Sequence, residues 1–140
     1  RESTRVQGVA VAGAQVMIEA RQIEAWVGHY GLHAMIPGAV GEASPESLME
    51  YYGEHEAILS EFSPINHLTA DDPVMYLAYD ADLSLPAKSF GHAIHHGLFV
   101  VKLLERSKAV GHNQVYIDAG KDYTTEYRGL SDFIIQTLTK

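Results

Sequence analysis

The chain has 140 residues, of which 46% are hydrophobic and 20% are charged, as is typical of one globular domain with its own core. Its formal net charge of −8 disfavours a nucleic-acid or anionic-membrane partner, because such partners need a basic surface. The absence of cysteine excludes disulfides, thiolate catalysis and cysteine-ligated zinc. No stretch has the apolar length of a transmembrane helix, so we expect a soluble protein whose compartment the sequence leaves undetermined.

The first predicted element is an apolar strand close to the start of the chain. Val6 to Ala12 reads VQGVAVA, and a continuous valine-rich run of this length favours a buried parallel strand. The chain begins with Arg1 and shows no signal-peptide core, so we interpret it as a piece of a longer protein. Residues 13–70 are then predicted to form a helical, cap-like segment between the first and second strands.

Two helices are predicted within this segment. Val16 to Tyr30 has helix-compatible apolar spacing, which a run rich in glycine and proline then interrupts. Ser44 and Pro45 predict the start of the second helix, with serine as the cap and proline at the first helical position. Apolar residues recur every three or four positions from there to Phe62, and Pro64 ends the pattern.

The second half of the chain alternates between strands and helices. Val74 to Tyr79 and Gln114 to Asp118 are predicted as strands, and Phe90 to Leu104 and Tyr127 to Leu138 as helical stretches. The first of these helices is expected to close near Gly111. Connections of this length, each containing a helix, indicate right-handed crossovers between parallel strands. We therefore predict a single α/β domain over residues 1–140, with three layers and a mainly parallel sheet of about three strands.

One stretch resembles a known family. EFSPINHLTADDPVMYLAYDADLSLP, residues 61–86, is similar to the region around the acid residue in the esterase/lipase branch of the α/β-hydrolases, which includes carboxylesterases and acetyl-xylan or feruloyl esterases. Members of that branch show Gly-x-x-Asp-x-x-x-Pro after the strand, and Tyr79 stands at the glycine position here. HAIHHGLFVVKLLERSKAVG resembles the next helix, and VYIDAG resembles the last strand. The similarity corresponds to the C-terminal half of such an enzyme.

The resemblance implies a serine, an acid and a histidine base in that order along the chain. Asp82 matches the acid position. The serine belongs on a Gly-x-Ser-x-Gly turn upstream of Val6, and no such motif occurs in this sequence. The base belongs after the last strand, where alignment of DAGKD puts Lys121 in the place of histidine.

Lysine at position 121 changes the chemistry that the resemblance implies. The base of such an enzyme accepts a proton near neutral pH, which suits an imidazole with a pKa of about 6.5 but not an ammonium with a pKa of about 10.4. Asp122 and Asp82 would favour the charged form of Lys121. We therefore expect Lys121 to be inactive as a base and to lie in solvent or in an ion pair near Asp82 or Asp118.

Other clusters of polar residues favour structural roles over a metal or cofactor site, and we predict neither. His29 with His33, and His92 with His96, have the one-turn spacing of zinc ligands if they are helical. The first pair spans a glycine, however, and the second is expected to face solvent or the loop cleft. Two loop carboxylates spaced two apart, Asp80 and Asp82, usually bond to their own backbone.

Two functional hypotheses follow. In the first, the chain is a non-catalytic α/β-hydrolase-like domain that acts through binding or assembly. The exposed edge of Val6 to Ala12, or sheet faces left uncovered by missing helices, would then be buried in an oligomer, most simply a two-fold dimer. Pairing through the edge of Val6 to Ala12 would give a continuous six-strand sheet. In the second, it is the C-terminal part of a carboxylic ester hydrolase, able to hold a small-molecule ester, whose serine comes from residues or a chain not present here. Whether the chain is an enzyme thus stays open at this stage, with position 121 arguing against it.

Overall fold

The computed structural model of the chain describes residues 6–32, 35–79, 82–119 and 126–139. Three strands form one sheet in the order β1, β2, β3, and their bounds are Gly8–Ala12, Val74–Ala78 and Val115–Asp118. Both pairings are parallel. The predicted α/β architecture with a three-strand parallel sheet is therefore confirmed.

Seven α-helices are formed by the described residues, and most of them lie between the strands. Their bounds are Ala20–Val27 (α1), Met35–Ala39 (α2), Pro45–Glu50 (α3), Tyr52–Glu61 (α4), Phe90–Ile94 (α5), Leu98–Val110 (α6) and Leu130–Leu138 (α7). Two short 3₁₀ turns, His29–Gly31 and Pro64–His67, follow α1 and α4. None of the helices in the described part of the chain is long and apolar enough to cross a membrane.

Helices cover both faces of the sheet because successive strand side chains point to opposite sides. On one face, Tyr76 packs with Tyr127 and with Phe133 of α7. On the other face, Leu77 belongs to the main core, which α1 and α6 supply with residues such as Phe99. The result is a three-layer arrangement in which β2, the central strand, contributes to both cores.

Local sequence signals account for several helix ends. The Ser44 side chain accepts a hydrogen bond from the backbone N–H of Ser47 at 3.2 Å, with Pro45 at the first helical position of α3, as predicted. Gly111 ends α6 with a φ of 83°, a left-handed conformation that glycine adopts without the strain of a Cβ. That end was also predicted.

The two longest predicted helices are each broken. The pattern from Ser44 to Phe62 divides at Tyr51, whose ψ of 20° interrupts the helical course between α3 and α4. The pattern from Phe90 to Leu104 divides between α5 and α6, where the side chain of His96 accepts a hydrogen bond from the backbone N–H of Leu98 at 3.0 Å. A side chain thus takes the N–H that a continuous helix would direct to a backbone carbonyl.

Candidate functional site

The carboxyl ends of the three parallel strands lie at one border of the sheet, where α/β proteins commonly bind ligands. Tyr79 directly follows β2, and the described residues continue from Asp82; we call residues 82–89 the Asp82 loop. Asp82 lies at this border, as expected for a residue that follows a parallel strand. Lys121 and Asp80 lie outside the described residues, so the expected ion pair of Lys121 stays a prediction.

The Asp82 carboxylate is held by its own loop. One oxygen, Oδ1, accepts hydrogen bonds from the backbone N–H of Ser84 at 2.9 Å and from its hydroxyl at 2.6 Å. The other oxygen, Oδ2, lies 2.9 Å from Nζ of Lys88. The hydrogen bonds from Ser84 and then from Lys88 lower the pKa of Asp82 well below its usual range, so the group is ionised at neutral pH.

Two histidines join this loop to the helices that follow it. Nδ1 of His92 accepts a hydrogen bond from the backbone N–H of Lys88 at 3.1 Å, and its Nε2 lies 3.3 Å from the backbone carbonyl oxygen of Asp82. Nδ1 of His96 accepts from Leu98, and Nε2 lies 3.1 Å from the carbonyl oxygen of Ser84. Because a carbonyl only accepts, both rings are neutral Nε2–H tautomers that donate to the loop.

The two rings are also stacked, with centroids 4.5 Å apart and planes inclined by 25°. His96 is fully buried, with 0% of its surface exposed. The expectation that both histidines face solvent or the cleft is therefore wrong for His96. The loop carbonyl of Ser84 offers the buried ring a hydrogen-bond partner, which makes its burial stable.

The arrangement around Asp82 differs from that of an acid paired with a catalytic base. Nε2 of His92 is 3.8 Å from Oδ2 of Asp82, beyond hydrogen-bond distance, and the Nδ1 atom of the same ring is occupied by Lys88. A catalytic pair instead requires a direct hydrogen bond from the base to the acid. His92 therefore stabilises the loop and is not oriented as a general base by Asp82.

The described residues contain no group of three or more histidine and carboxylate side chains placed to hold an ion. In the pair formed by His92 and His96, each Nδ1 atom already accepts a backbone N–H. His33, the partner proposed for His29, lies outside the described residues. The hydrogen bonds of Nδ1 and Nε2 in both rings account for the one-turn spacing of His92 and His96, because that spacing lets both side chains reach the Asp82 loop.

A second region of interest is the outer edge of β1. Within the described part of the chain, β2 is the strand that pairs with β1, and the opposite edge of β1 has no strand beside it. Residues of β1 are half-buried or exposed, whereas Tyr76 and Leu77 at the centre of β2 are buried. The edge therefore presents backbone N–H and C=O groups that a further strand can pair with.

Apolar surface flanks this edge on both sides. On the α7 side, Ile134 and Leu138 are 43% and 72% exposed and line a cavity of about 190 Å³ together with Gly8 and Ala10. We call β1 with Ile134 and Leu138 the β1 edge surface. On the opposite face, a cavity of about 410 Å³ is lined by apolar side chains of β1, β2, α6 and the Pro64–His67 turn.

Sequence reasoning located Asp82 and the β1 edge but missed Lys88 and the buried role of His96. No spacing rule signals the ion pair, since Lys88 follows Asp82 by six residues across a loop that contains Pro86. The exposed apolar residues of α7 were visible only as part of an amphipathic pattern. No protein-family model, curated protein or solved structure matches the chain.

Proposed function

We propose that this chain is an α/β-hydrolase-like domain that acts through assembly, forming a two-fold homodimer along β1. The observation that carries the proposal is the β1 edge surface, where an unpaired strand edge of the described sheet adjoins exposed apolar side chains. Parallel sheets normally have both edges and faces protected, so an edge of this kind favours pairing.

A second copy of the chain is the occupant that the charge distribution favours. The chain carries a formal charge of −8, so two copies repel each other wherever acidic surfaces meet. The stretch from Gln7 to Ala12 contains no charged residue, and Ile134 and Leu138 are apolar. A two-fold axis brings identical patches together, and a neutral apolar patch is complementary to itself.

The residues at the carboxyl border of the sheet favour assembly over ester hydrolysis as the function of the chain. The sequence contains no Gly-x-Ser-x-Gly motif and has Lys121 where the resemblance expects the base. Among the described residues, Asp82 bonds to Ser84 and Lys88, and the nearest His92 nitrogen lies 3.8 Å from its carboxylate, beyond hydrogen-bond distance. Two of the three catalytic roles of a hydrolase are thus without a suitable residue in this sequence, which leaves binding as the better supported activity.

The test measures solution mass by light scattering at micromolar concentration, with a charge introduced at the proposed interface. We expect the wild-type chain to have the mass of two copies. Ile134→Lys should raise the dissociation constant at least about 100-fold, because the interface would bury an unpaired charge. Ile58→Lys is the matched control, since Ile58 of α4 is 44% exposed and Ile134 is 43% exposed.

Two results would contradict the proposal. A wild-type chain that is monomeric throughout the micromolar range rules out the dimer. Equal effects of Ile134→Lys and Ile58→Lys would show that the interface lies elsewhere. Circular dichroism of each variant establishes that it is folded before its mass is interpreted.

The second candidate function, the C-terminal part of an ester hydrolase, is favoured by the position and ionisation of Asp82. Its carboxylate follows β2, is 39% exposed and is charged at neutral pH, as an acid residue of a hydrolase would be. Hydrolysis of p-nitrophenyl acetate distinguishes the two. We expect the same background rate from the wild type, Asp82→Ala and the control Asp71→Ala. Activity that only Asp82→Ala abolishes would favour the hydrolase instead.

A further inference from the structure

The Asp82 loop is attached to the helices by two titratable side chains, and this attachment requires one protonation state. His92 and His96, which we call the histidine clamp, each accept a backbone N–H at Nδ1 and donate from Nε2 to a loop carbonyl. A protonated imidazole carries hydrogen on both nitrogens and accepts at neither. Protonation of either ring therefore removes an acceptor from the N–H of Lys88 or Leu98.

We propose that the histidine clamp is a pH-sensitive device that holds the Asp82 loop on α5 and α6 when both rings are neutral and releases it under mildly acidic conditions. The released segment is the Asp82 loop, because the backbone atoms bonded to the two Nε2 atoms belong to Asp82 and Ser84. The proposal concerns the carboxyl border of the sheet and is independent of the dimer at β1.

Stacking and burial both oppose protonation of the closed loop. The ring centroids are 4.5 Å apart, so a charge on one ring disfavours a charge on the other. Burial lowers the pKa of His96, and the neighbouring His92 lowers it further, while the hydrogen bond to Ser84 opposes these effects. When the loop opens, water reaches His96, and its affinity for protons returns toward the ordinary value.

Other titratable groups lie in the loop itself and on the elements packed around it. Oδ2 of Asp82 lies 3.8 Å from Nε2 of His92, and the ammonium of Lys88 lies 2.9 Å from the same oxygen. His95 follows α5 and is bonded through Nδ1 to the carbonyl oxygen of Gly13. The 3₁₀ turn that packs against α5 contributes His29. Of these groups, Asp82 supplies the negative charge.

The sign of the pH effect follows from these protonation states. Well above the ordinary histidine pKa of about 6.5, the open loop binds almost no protons at its histidines, so pH has little influence on the equilibrium. As the pH falls through about 6.5, the open form binds more protons than the closed form, because burial lowers the pKa of His96 in the closed form. Opening therefore becomes more favourable as the pH falls through about 6.5 toward the lower pKa of His96 in the closed clamp.

Amide hydrogen exchange followed by NMR tests the proposal on the whole chain. The amides of Lys88 and Leu98 donate to the two Nδ1 atoms, so their protection, corrected for intrinsic rates, should fall at least about tenfold from pH 7.5 to pH 5.0. The amide of Phe62, which donates to Ile58 within α4, is the internal control and should keep its protection.

Variants separate the clamp from general acid sensitivity. The double variant His92→Asn, His96→Asn keeps an acceptor near each Nδ1 position but does not titrate, so its thermal midpoint should change less between pH 7.5 and 5.0 than that of the wild type. His67→Asn is the control, because His67 lies outside the loop and bonds to Glu61. If the double variant does not fold, the ¹⁵N shifts of the wild-type rings still report both tautomers and both titrations.

Three results would overturn the proposal. The first is unchanged protection of Lys88 and Leu98 between pH 7.5 and pH 5.0. The second is a His96 ring that titrates at or above pH 6.5 or that exists as the Nδ1–H tautomer at neutral pH. The third is a double variant whose thermal midpoint falls with pH as steeply as that of the wild type.

Discussion

The Asp82 loop and the β1 edge surface lie at adjacent borders of the same sheet. They differ in whether their hydrogen-bonding groups have partners within the described chain. In the loop, the Asp82 carboxylate and the two histidine rings bond to partners within the chain. At the edge, the described structure leaves one side of β1 without a neighbouring strand, next to exposed Ile134 and Leu138. The polar region is internally satisfied, whereas the apolar region is available for contact.

This difference teaches where an interaction is to be expected. The Asp82 carboxylate already accepts hydrogen bonds from Ser84 and Lys88, so a substrate or a base would have to share it with them. An apolar edge loses only contact with water when it is covered, which is favourable. In the described structure, the polar residues at the carboxyl border thus already have partners within the chain, whereas the edge of β1 is open to contacts that need no catalytic residue.

The largest expected effect comes from Phe133→Ala, which tests whether α7 is fixed firmly beside β1. Phe133 is buried and packs on Tyr76 and Tyr127, with ring centroids 5.3 Å and 5.1 Å away. Its truncation should lower the free energy of unfolding by about 3–5 kcal/mol, measured by denaturant titration. Ile135→Ala, two residues along on the same helix and 61% exposed, is the control and should change it by less than about 1 kcal/mol. Similar losses in both variants would mean that α7 does not present the two residues to different environments.

A smaller effect is expected from Gly8→Val, which tests the close approach of β1 to α7. A Cβ at position 8 would lie 2.8 Å from Cγ2 of Thr137 and 3.0 Å from Cζ of Phe133. Overpacking of this kind should reduce the free energy of unfolding by about 1–3 kcal/mol. Gly53→Val in α4 is a comparison at a position where an added Cβ meets nothing within 4 Å. A stabilised Gly8→Val chain would show that α7 lies further from the strand.

The smallest effect is expected in the Asp82 loop, from Lys88→Met. The ion pair joins an ammonium that is 65% exposed to a carboxylate that is 39% exposed, so its removal should shift the thermal midpoint by no more than about 4 °C. The pKa of Asp82 should rise toward its ordinary value, because Lys88 helps to lower it. NMR titration of the carboxyl carbon measures this, with Lys108→Met as a control that leaves the pKa unchanged.

Acid should act on the Asp82 loop through the same carboxylate. The folded chain holds Asp82 ionised below its ordinary pKa of about 3.9, so this contribution to stability is present above that pH and is lost as the pH falls below it. In Lys88→Met this loss of stability should span a narrower pH range, because the pKa of Asp82 in the folded chain lies closer to its ordinary value. An unchanged pKa in that variant would place Lys88 away from the carboxylate in solution.

The fold was largely predictable because local patterns determine it. The valine-rich run in β1, the serine cap at Ser44 and the glycine stop at Gly111 each act through neighbours in sequence. The division of the predicted helix at His96 was not predictable in this way. It depends on a bond to Ser84, twelve residues earlier, which forms only when the loop folds back onto the helices.

The position of the candidate site was predictable from the sequence, but the bonding partners of its residues were not. A residue that follows β2 must lie at the carboxyl border, and Asp82 does. Its partner, however, could not be deduced from spacing, because Lys88 reaches the carboxylate through the three-dimensional path of the loop. The exposure of Ile134 likewise depends on which face of α7 meets β1, and the sequence pattern alone shows only that two faces exist.

The two cores also differ in their chromophores. Trp26, the single tryptophan of the sequence, packs edge-on against Phe99 in the main core, with centroids 6.3 Å apart. The opposite core holds tyrosines, including Tyr76 and Tyr127 at 6.3 Å. Fluorescence excited at the red edge of the indole band therefore reports on the main core alone, while near-ultraviolet tyrosine dichroism reports on both sides, because Tyr52 and Tyr79 lie in the main core. An experimenter can ask, without any label, whether the two sides of this sheet melt together.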